Sequence, residues 1–150
     1  MPGHRTDHAM MRSKSLAIAA VVLLIAGAAY AYKEYNRGMA GAASLPVKES
    51  VSAPQLLDDF QTDEAAALKR YVGDVEQVVQ VTGTIRNMEP VGTDKTNVIL
   101  ESGNDLAAVV CEFDNKDLPI DWRSGATVSV KGICTGMLMD VVLVRCVQAK

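Results

Sequence analysis

The segment VQVTG at residues 79–83 recurs in similar form as VSVKG at residues 128–132. In both segments apolar and polar residues alternate, which is typical of a β-strand with one buried face. Both segments end in glycine, and a glycine inside a strand suits a bulge or a sharp bend. A small barrel needs strongly bent strands in order to close, so this pair favours a closed barrel over a flat sandwich.

The same alternation continues through the rest of the C-terminal half. Apolar residues occupy every second position near residues 97–101, 107–113 and 142–146, and turn-forming residues separate these segments. Five short strands with turns between them indicate an all-β barrel or sandwich. The predicted fold class is therefore mainly β, with a five-stranded OB-type barrel over residues 74–150.

A helical pattern precedes the strands, over residues 51–73. Apolar residues such as Leu56 recur at intervals of three and four, which predicts one buried helix face. Ser52 is predicted to cap the first turn, Thr62 to cap a second helical turn, and Gly73 to end the segment. We expect this helical segment to pack on the barrel that follows it.

An uncharged apolar run occupies residues 15–32. As a helix its 18 residues would reach about 27 Å, close to the ~30 Å hydrocarbon core of a bilayer. We therefore expect an N-terminal transmembrane helix that acts as a signal-anchor, with residues 1–14 as a cytoplasmic tail and residues 33–50 as a linker. Three basic residues precede the run and two follow it closely, which favours a cytoplasmic N-terminus.

The topology places the C-terminal domain outside the inner membrane, in the periplasm or extracellular space. A cleaved secretory signal is the alternative, because the sequence AYA at residues 29–31 fits a signal-peptidase site. Both interpretations send the remainder of the chain across the membrane.

Five stretches of the chain are characteristic when taken together: DEAAALKRY (63–71), VTGTI (81–85), VVCEF (109–113), VSVKGICTG (128–136) and DVVLVRC (140–146). They resemble the tRNA_anti-like OB-fold family, which comprises small bacterial proteins with a membrane or lipoprotein anchor and one external OB domain. The resemblance covers about residues 55–150 and is most specific from Gly132 to Cys146. It implies an OB barrel preceded by a helix and kinship with anticodon-binding domains, and it brings no established activity.

The sequence offers no constellation of residues for catalysis. Both histidines, His4 and His8, precede the apolar run, so the predicted external domain has no histidine for a catalytic triad or a metal site. The three cysteines include no CxxC pair, which argues against a closed zinc site. We therefore predict a protein that is not an enzyme and needs no metal or cofactor.

Nucleic-acid binding is the first hypothesis for an OB fold, but the charge opposes it. Residues 51–150 carry nine basic and fifteen acidic side chains, a net charge of −6. Such a domain repels phosphates overall, and it has few aromatic residues on which bases could stack. A local ligand groove is still conceivable, although solvated outward positions are the favoured interpretation of its residues. The groove would consist of Arg86, Trp122, Arg123, Lys131 and Arg145.

The cysteines suggest one disulfide bond. Strand alternation places Cys111, Cys134 and Cys146 on the inward face, and thiols that meet outside the cytoplasm tend to be oxidised. Cys134 with Cys146 is the predicted pair, because they flank an apparent hairpin. Pairing of Cys111 with Cys146, and three buried free thiols, are the open alternatives.

Together these features predict a non-enzymatic, membrane-anchored OB-fold module that binds a partner protein outside the cytoplasm. The alternative is an oligonucleotide- or oligosaccharide-binding domain that uses the OB groove. The fold resemblance alone supports that alternative, and the acidic charge disfavours nucleic acid.

Overall fold

The structure is a computed structural model that describes residues 18–32 and 41–150. It divides into two compact units, residues 1–40 and 41–150. In the first unit, residues 18–32 form helix α1, and all of them are exposed. In the described part of the chain, no helix combines the length and the apolar character needed to cross a membrane. The start of the expected anchor, the tail at 1–14 and much of the linker lie outside the described residues.

The second unit contains a closed five-stranded barrel with a helical segment before it, as the sequence predicts. A further strand, which the sequence analysis did not identify, precedes the helices. The elements are β1 (Val47–Ser52), α2 (Ala53–Thr62), α3 (Glu64–Ala67), a π-helical turn (Leu68–Val72), β2 (Val78–Val91), β3 (Lys95–Leu100), β4 (Val109–Asp114), β5 (Thr127–Met137) and β6 (Val141–Gln148).

The two similar glycine-containing segments close the barrel by pairing with each other. The barrel strands follow the order β2-β3-β4-β6-β5, and β5 returns to pair with β2. In this antiparallel pair Val79 lies opposite Gly132 and Gly83 lies opposite Val128. The β4–β6 pair is parallel and the other barrel pairs are antiparallel. The prediction of a five-stranded OB-type barrel is confirmed.

At both glycines, Gly83 and Gly132, side-chain atoms of another segment lie so close to the backbone that a Cβ would crowd them. A Cβ on Gly132 would lie 2.6 Å from Cys146 Sγ, and the register of β5 with β6 shifts at this position. A Cβ on Gly83 would lie 3.0 Å from the Cβ of Ala53, the first residue of α2. Gly132 thus coincides with a bulge, as expected, whereas Gly83 makes room for the helix.

Helix α2 packs its apolar face into the barrel core. Leu56, Leu57 and Phe60 are buried in one cluster with inward residues of all five barrel strands. Ser52 caps this helix as predicted, since its hydroxyl accepts a hydrogen bond from the Gln55 amide at 3.3 Å.

The cap of the second helical turn is a correction. Thr62 ends α2, and the carboxylate of Asp63 caps α3 by accepting a hydrogen bond from the Ala66 amide at 3.0 Å. An aspartate is the stronger helix cap, and its charge also suits the helix N-terminus. Gly73, with φ at 67°, ends the helical segment as predicted.

The expected linker is shorter than 33–50, because residues 47–50 belong to strand β1. This strand pairs in parallel with β2, with Val51 opposite Val81. Ala42, also inside the expected linker, is buried against Val78 and Ile133. The partners of these residues lie far along the sequence, so local composition gave no indication of them.

Candidate interaction surface

The structure distributes the five predicted groove residues over two regions. Arg86 lies on β2, and the connection that carries Trp122 and Arg123 adjoins it through backbone hydrogen bonds of Gly125 and Ala126 with Ile85. Lys131 lies on β5 and Arg145 on the paired strand β6.

Lys131 is opposite Gln80. That position is six residues from Arg86 along β2, which corresponds to about 20 Å of extended strand. A single groove that unites all five residues is therefore not formed.

Most of the arginines and lysines on the barrel surface are paired with carboxylates. Arg86 donates to Glu101 at 2.8 Å, and this hydrogen bond is the main reason that the pKa of Arg86 is raised. Lys95 pairs with Glu112 across the β3–β4 ladder, and Arg145 pairs with Glu76. Each pair removes a positive charge from the field that a phosphate chain would encounter.

Two of the predicted groove cations have no such partner. Arg123 and Lys131 make no ion pair within the described residues. They lie on the two separate regions, so they present isolated charges. A phosphate-binding surface needs several cations along one path, and these two do not supply it.

Trp122 is not available as a stacking platform. Its ring meets the ring of the buried Phe113 edge to face, with the centroids 5.4 Å apart. It is half-buried and packs against the main core. Phe113 itself is fully buried in that core.

The outer face of β3 and β4 mixes polar and apolar side chains. Asn97 and Ile99 alternate with buried neighbours on β3, and Val110 lies beside them on β4. In OB folds the corresponding strands and the loops beside them form the usual ligand-binding face. Here that face has no aromatic side chain among the described residues.

One end of this face exposes three large apolar side chains. Leu106, in the β3–β4 loop, is 88% exposed, and Leu138 and Met139, in the β5–β6 turn, are 98% and 75% exposed. Two hydrogen bonds hold these loops side by side. The Ala108 amide donates to the Asp140 carboxylate at 2.8 Å, and the Val141 amide donates to the Ala108 carbonyl at 3.0 Å. We call Leu106, Leu138 and Met139 the apolar tip.

Sequence reasoning missed the apolar tip. Its only local signal is the apolar pair Leu138-Met139 inside a turn, where polar residues are usual. Leu106 is separated from that pair in sequence, and only the parallel β4–β6 pairing brings the two loops together.

All three cysteines are buried and free, so the expected Cys134–Cys146 disulfide is not formed in the structure. The register explains this difference, because Leu143 lies opposite Cys134 and Cys146 projects toward Gly132. Burial raises the pKa of Cys134 to about 11 and also raises the pKa of Cys146. Thiols with raised pKa values are poor nucleophiles at neutral pH.

No cluster of histidine, cysteine or acidic side chains that could hold a metal ion occurs in the described ranges. Three surface carboxylates instead pair with arginine and lysine side chains of this chain, namely Glu76, Glu101 and Glu112. The described surface of the barrel thus offers both polar and apolar side chains for contact.

Comparison with solved structures supports the fold. The crystal structure of a "putative nucleic acid-binding lipoprotein" from Klebsiella pneumoniae aligns with a TM-score of 0.52 and 17% identity, over 72% of this chain and 94% of that chain. At this identity the likeness shows the fold alone.

Two further solved structures align less well. The S. pombe Stn1-Ten1 complex matches with a TM-score of 0.37 and 17% identity, over 47% of this chain and 54% of that chain. Yeast Stn1 and Ten1 match with a TM-score of 0.43 and 10% identity, over 68% of this chain and 63% of that chain.

No curated protein matches this chain. The family described as tRNA_anti-like matches residues 9–148, which include nearly the whole sequence and all of the barrel strands. The chain belongs to the tRNA_anti-like family of OB-fold proteins.

Proposed function

We propose that this chain is a non-enzymatic binding module, anchored in the inner membrane by its N-terminal helix, whose OB domain recognises a partner protein outside the cytoplasm. The binding surface is the outer face of β3 and β4 together with the loops at its ends. One observation carries the proposal: this surface pairs its cations internally and exposes large apolar side chains at one end.

Apolar exposure favours a protein partner. Monomeric proteins seldom expose large apolar side chains in a group, and such groups mark interaction sites. The fully buried core of a protein interface is more apolar than the interface as a whole. Phosphate binding would instead require the arginine and lysine side chains that here contact Glu101 and Glu112.

The N-terminal sequence supports the proposed anchor. Residues 15–32 lack charge, and the apolar side chains of the described part of α1 are exposed. A bilayer stabilises an uncharged helix with exposed apolar side chains, because it removes those side chains from water. The excess of basic residues before it supports a cytoplasmic N-terminus and an external OB domain.

Nucleic-acid binding is the alternative that the fold suggests. The family name and the description of the Klebsiella pneumoniae protein favour it, but a fold is shared by many functions. The net charge of −6 over residues 51–150 opposes it, since phosphate contacts supply most of the sequence-independent affinity.

Photocrosslinking in the membranes of the natural host tests this function. A photoreactive amino acid replaces Asn97 on the β3 face or Leu138 at the apolar tip, and Ile120, fully exposed on the β4–β5 connection, is the matched control position. We expect adducts from positions 97 and 138 that protease degrades and nuclease does not. Nuclease-sensitive adducts, or no adduct from either position, would contradict the proposal.

A further inference from the structure

The structure combines apolar and acidic groups at the end of the barrel that carries the apolar tip. Asp105 directly precedes Leu106, and Asp140 directly follows Met139. The two carboxylates therefore flank the exposed apolar side chains on both loops.

The loops that carry these groups are held in place. Leu106 donates its amide to the Asn104 side chain at 2.8 Å, and Arg86 donates to the Asn104 carbonyl at 2.9 Å. The Ala108 amide binds Asp140. A tip fixed in this way loses little conformational entropy when it binds, so its apolar side chains can contribute fully to affinity.

The charge around the tip is negative. Arg86 contacts this region, but Glu101 neutralises it at 2.8 Å. Asp105 and Asp140 both lie close enough to act electrostatically on Arg86. One arginine thus faces three carboxylates, and a ligand that docks here meets an excess of negative charge.

The geometry points to a protein-docking site at the apolar tip, whose partner is a segment that presents an apolar side chain flanked by lysine or arginine. This inference rests on the proposed function and names the chemistry of the partner. The apolar anchor is buried against Leu106, Leu138 and Met139, and the basic flanks approach Asp105 and Asp140. An anionic membrane surface fits the site poorly, because those carboxylates repel anionic headgroups.

Sorting of a random peptide library against the full chain in nanodiscs tests the inference. The library is displayed on phage and sorted at 0.15 M NaCl and again at 0.5 M NaCl. We expect the first sort to enrich peptides with an aliphatic or aromatic residue next to lysine or arginine. Salt should weaken the electrostatic part of their affinity and leave the apolar part.

Three variants locate the site for the enriched peptides. Leu138→Ser with Met139→Ser should lower peptide affinity at least tenfold, because both substitutions remove apolar area that the docked peptide would bury. Asp105→Asn should lower it about two- to fivefold, as expected for an exposed charge pair. Ile120→Ser is the matched control, since Ile120 is 100% exposed on another loop, and should leave affinity unchanged.

Several outcomes would overturn the inference. These are enrichment of acidic peptides, absence of enrichment, or equal affinity of the Leu138/Met139 variant and the wild type. A bimane probe at Met139→Cys that shifts to the blue in phosphatidylglycerol-containing nanodiscs would assign the tip to the lipid instead. If Asn97 gives protein adducts while the tip variant binds the peptides normally, the proposed function stands and this docking site fails.

Discussion

Substitution of Gly132 by alanine probes the closure of the barrel. The added Cβ would lie 2.6 Å from Cys146 Sγ, 3.1 Å from the Leu143 Cβ and 3.2 Å from the Leu143 Cδ2. Separations under 3 Å are far inside van der Waals contact, and Leu143 Cβ is tied to the β6 backbone. Overpacking of this kind costs about 1–3 kcal/mol, and the tight backbone here favours the upper part of that range.

The clash can be separated from other effects by a second substitution. Cys146→Ala removes the nearest atom and by itself costs about 1 kcal/mol, the cost of deleting a small buried group. In the double variant the alanine at 132 gains the space left by the sulfur. We therefore expect a favourable coupling of about 1 kcal/mol between the two sites.

Urea unfolding of a fragment with residues 41–150, followed by Trp122 fluorescence, measures these free energies of unfolding. Gly41→Ala is the matched control, because a Cβ there has no neighbour within 4 Å, and it should change stability by less than about 0.5 kcal/mol. A Gly132→Ala variant as stable as the control would refute the reasoning. Additive effects of the two substitutions would show that the sulfur is not the obstacle.

Three further predictions concern the thiols, the helix and the topology. A water-soluble disulfide reagent at pH 8 should leave the folded protein unmodified, since burial raises the pKa of Cys134 to about 11. In urea the same reagent should react with three thiols. A single reactive thiol in urea would indicate a disulfide bond. Tyr71→Phe should cost about 1 kcal/mol at pH 7, because the Tyr71 hydroxyl donates to Asp59 at 2.5 Å and thereby lowers the pKa of Asp59. A lowered carboxyl pKa stabilises the fold above the pKa of the unfolded chain, and this stability is lost as the pH falls through the pKa of the folded protein. The loss of stability in Tyr71→Phe, measured by urea unfolding, should therefore be smaller at pH 3 than at pH 7. An equal loss at both pH values would contradict this assignment. Alkaline phosphatase fused after Lys150 should be active and β-galactosidase inactive, and the reverse result would place the OB domain in the cytoplasm.

The sequence predicted those features that depend on short-range patterns. The segments at 79–83 and 128–132 indicated bent strands, and they pair to close the barrel. Ser52 was identified as a cap because the cap bond to Gln55 spans only three residues. Such signals are local, so one sequence is sufficient to recognise them.

The features that were missed depend on contacts between distant segments. Strand β1 is stabilised by parallel pairing with β2 and carries no alternation strong enough to mark it. Arg86 looked like a groove cation because its partner Glu101 is fifteen residues away. The apolar tip requires two loops that meet only in the folded barrel. No pattern within one segment encodes these contacts.

Oligonucleotide titration tests the central claim, that this OB domain is a protein-binding module, most directly. The full chain in nanodiscs is titrated against fluorescently labelled single-stranded DNA and RNA, with fluorescence anisotropy measured at 0.05, 0.15 and 0.3 M NaCl. The account predicts no saturation at 0.15 M salt up to tens of micromolar, because the net charge of −6 over residues 51–150 repels phosphates. Sub-micromolar binding that falls steeply with salt would contradict it.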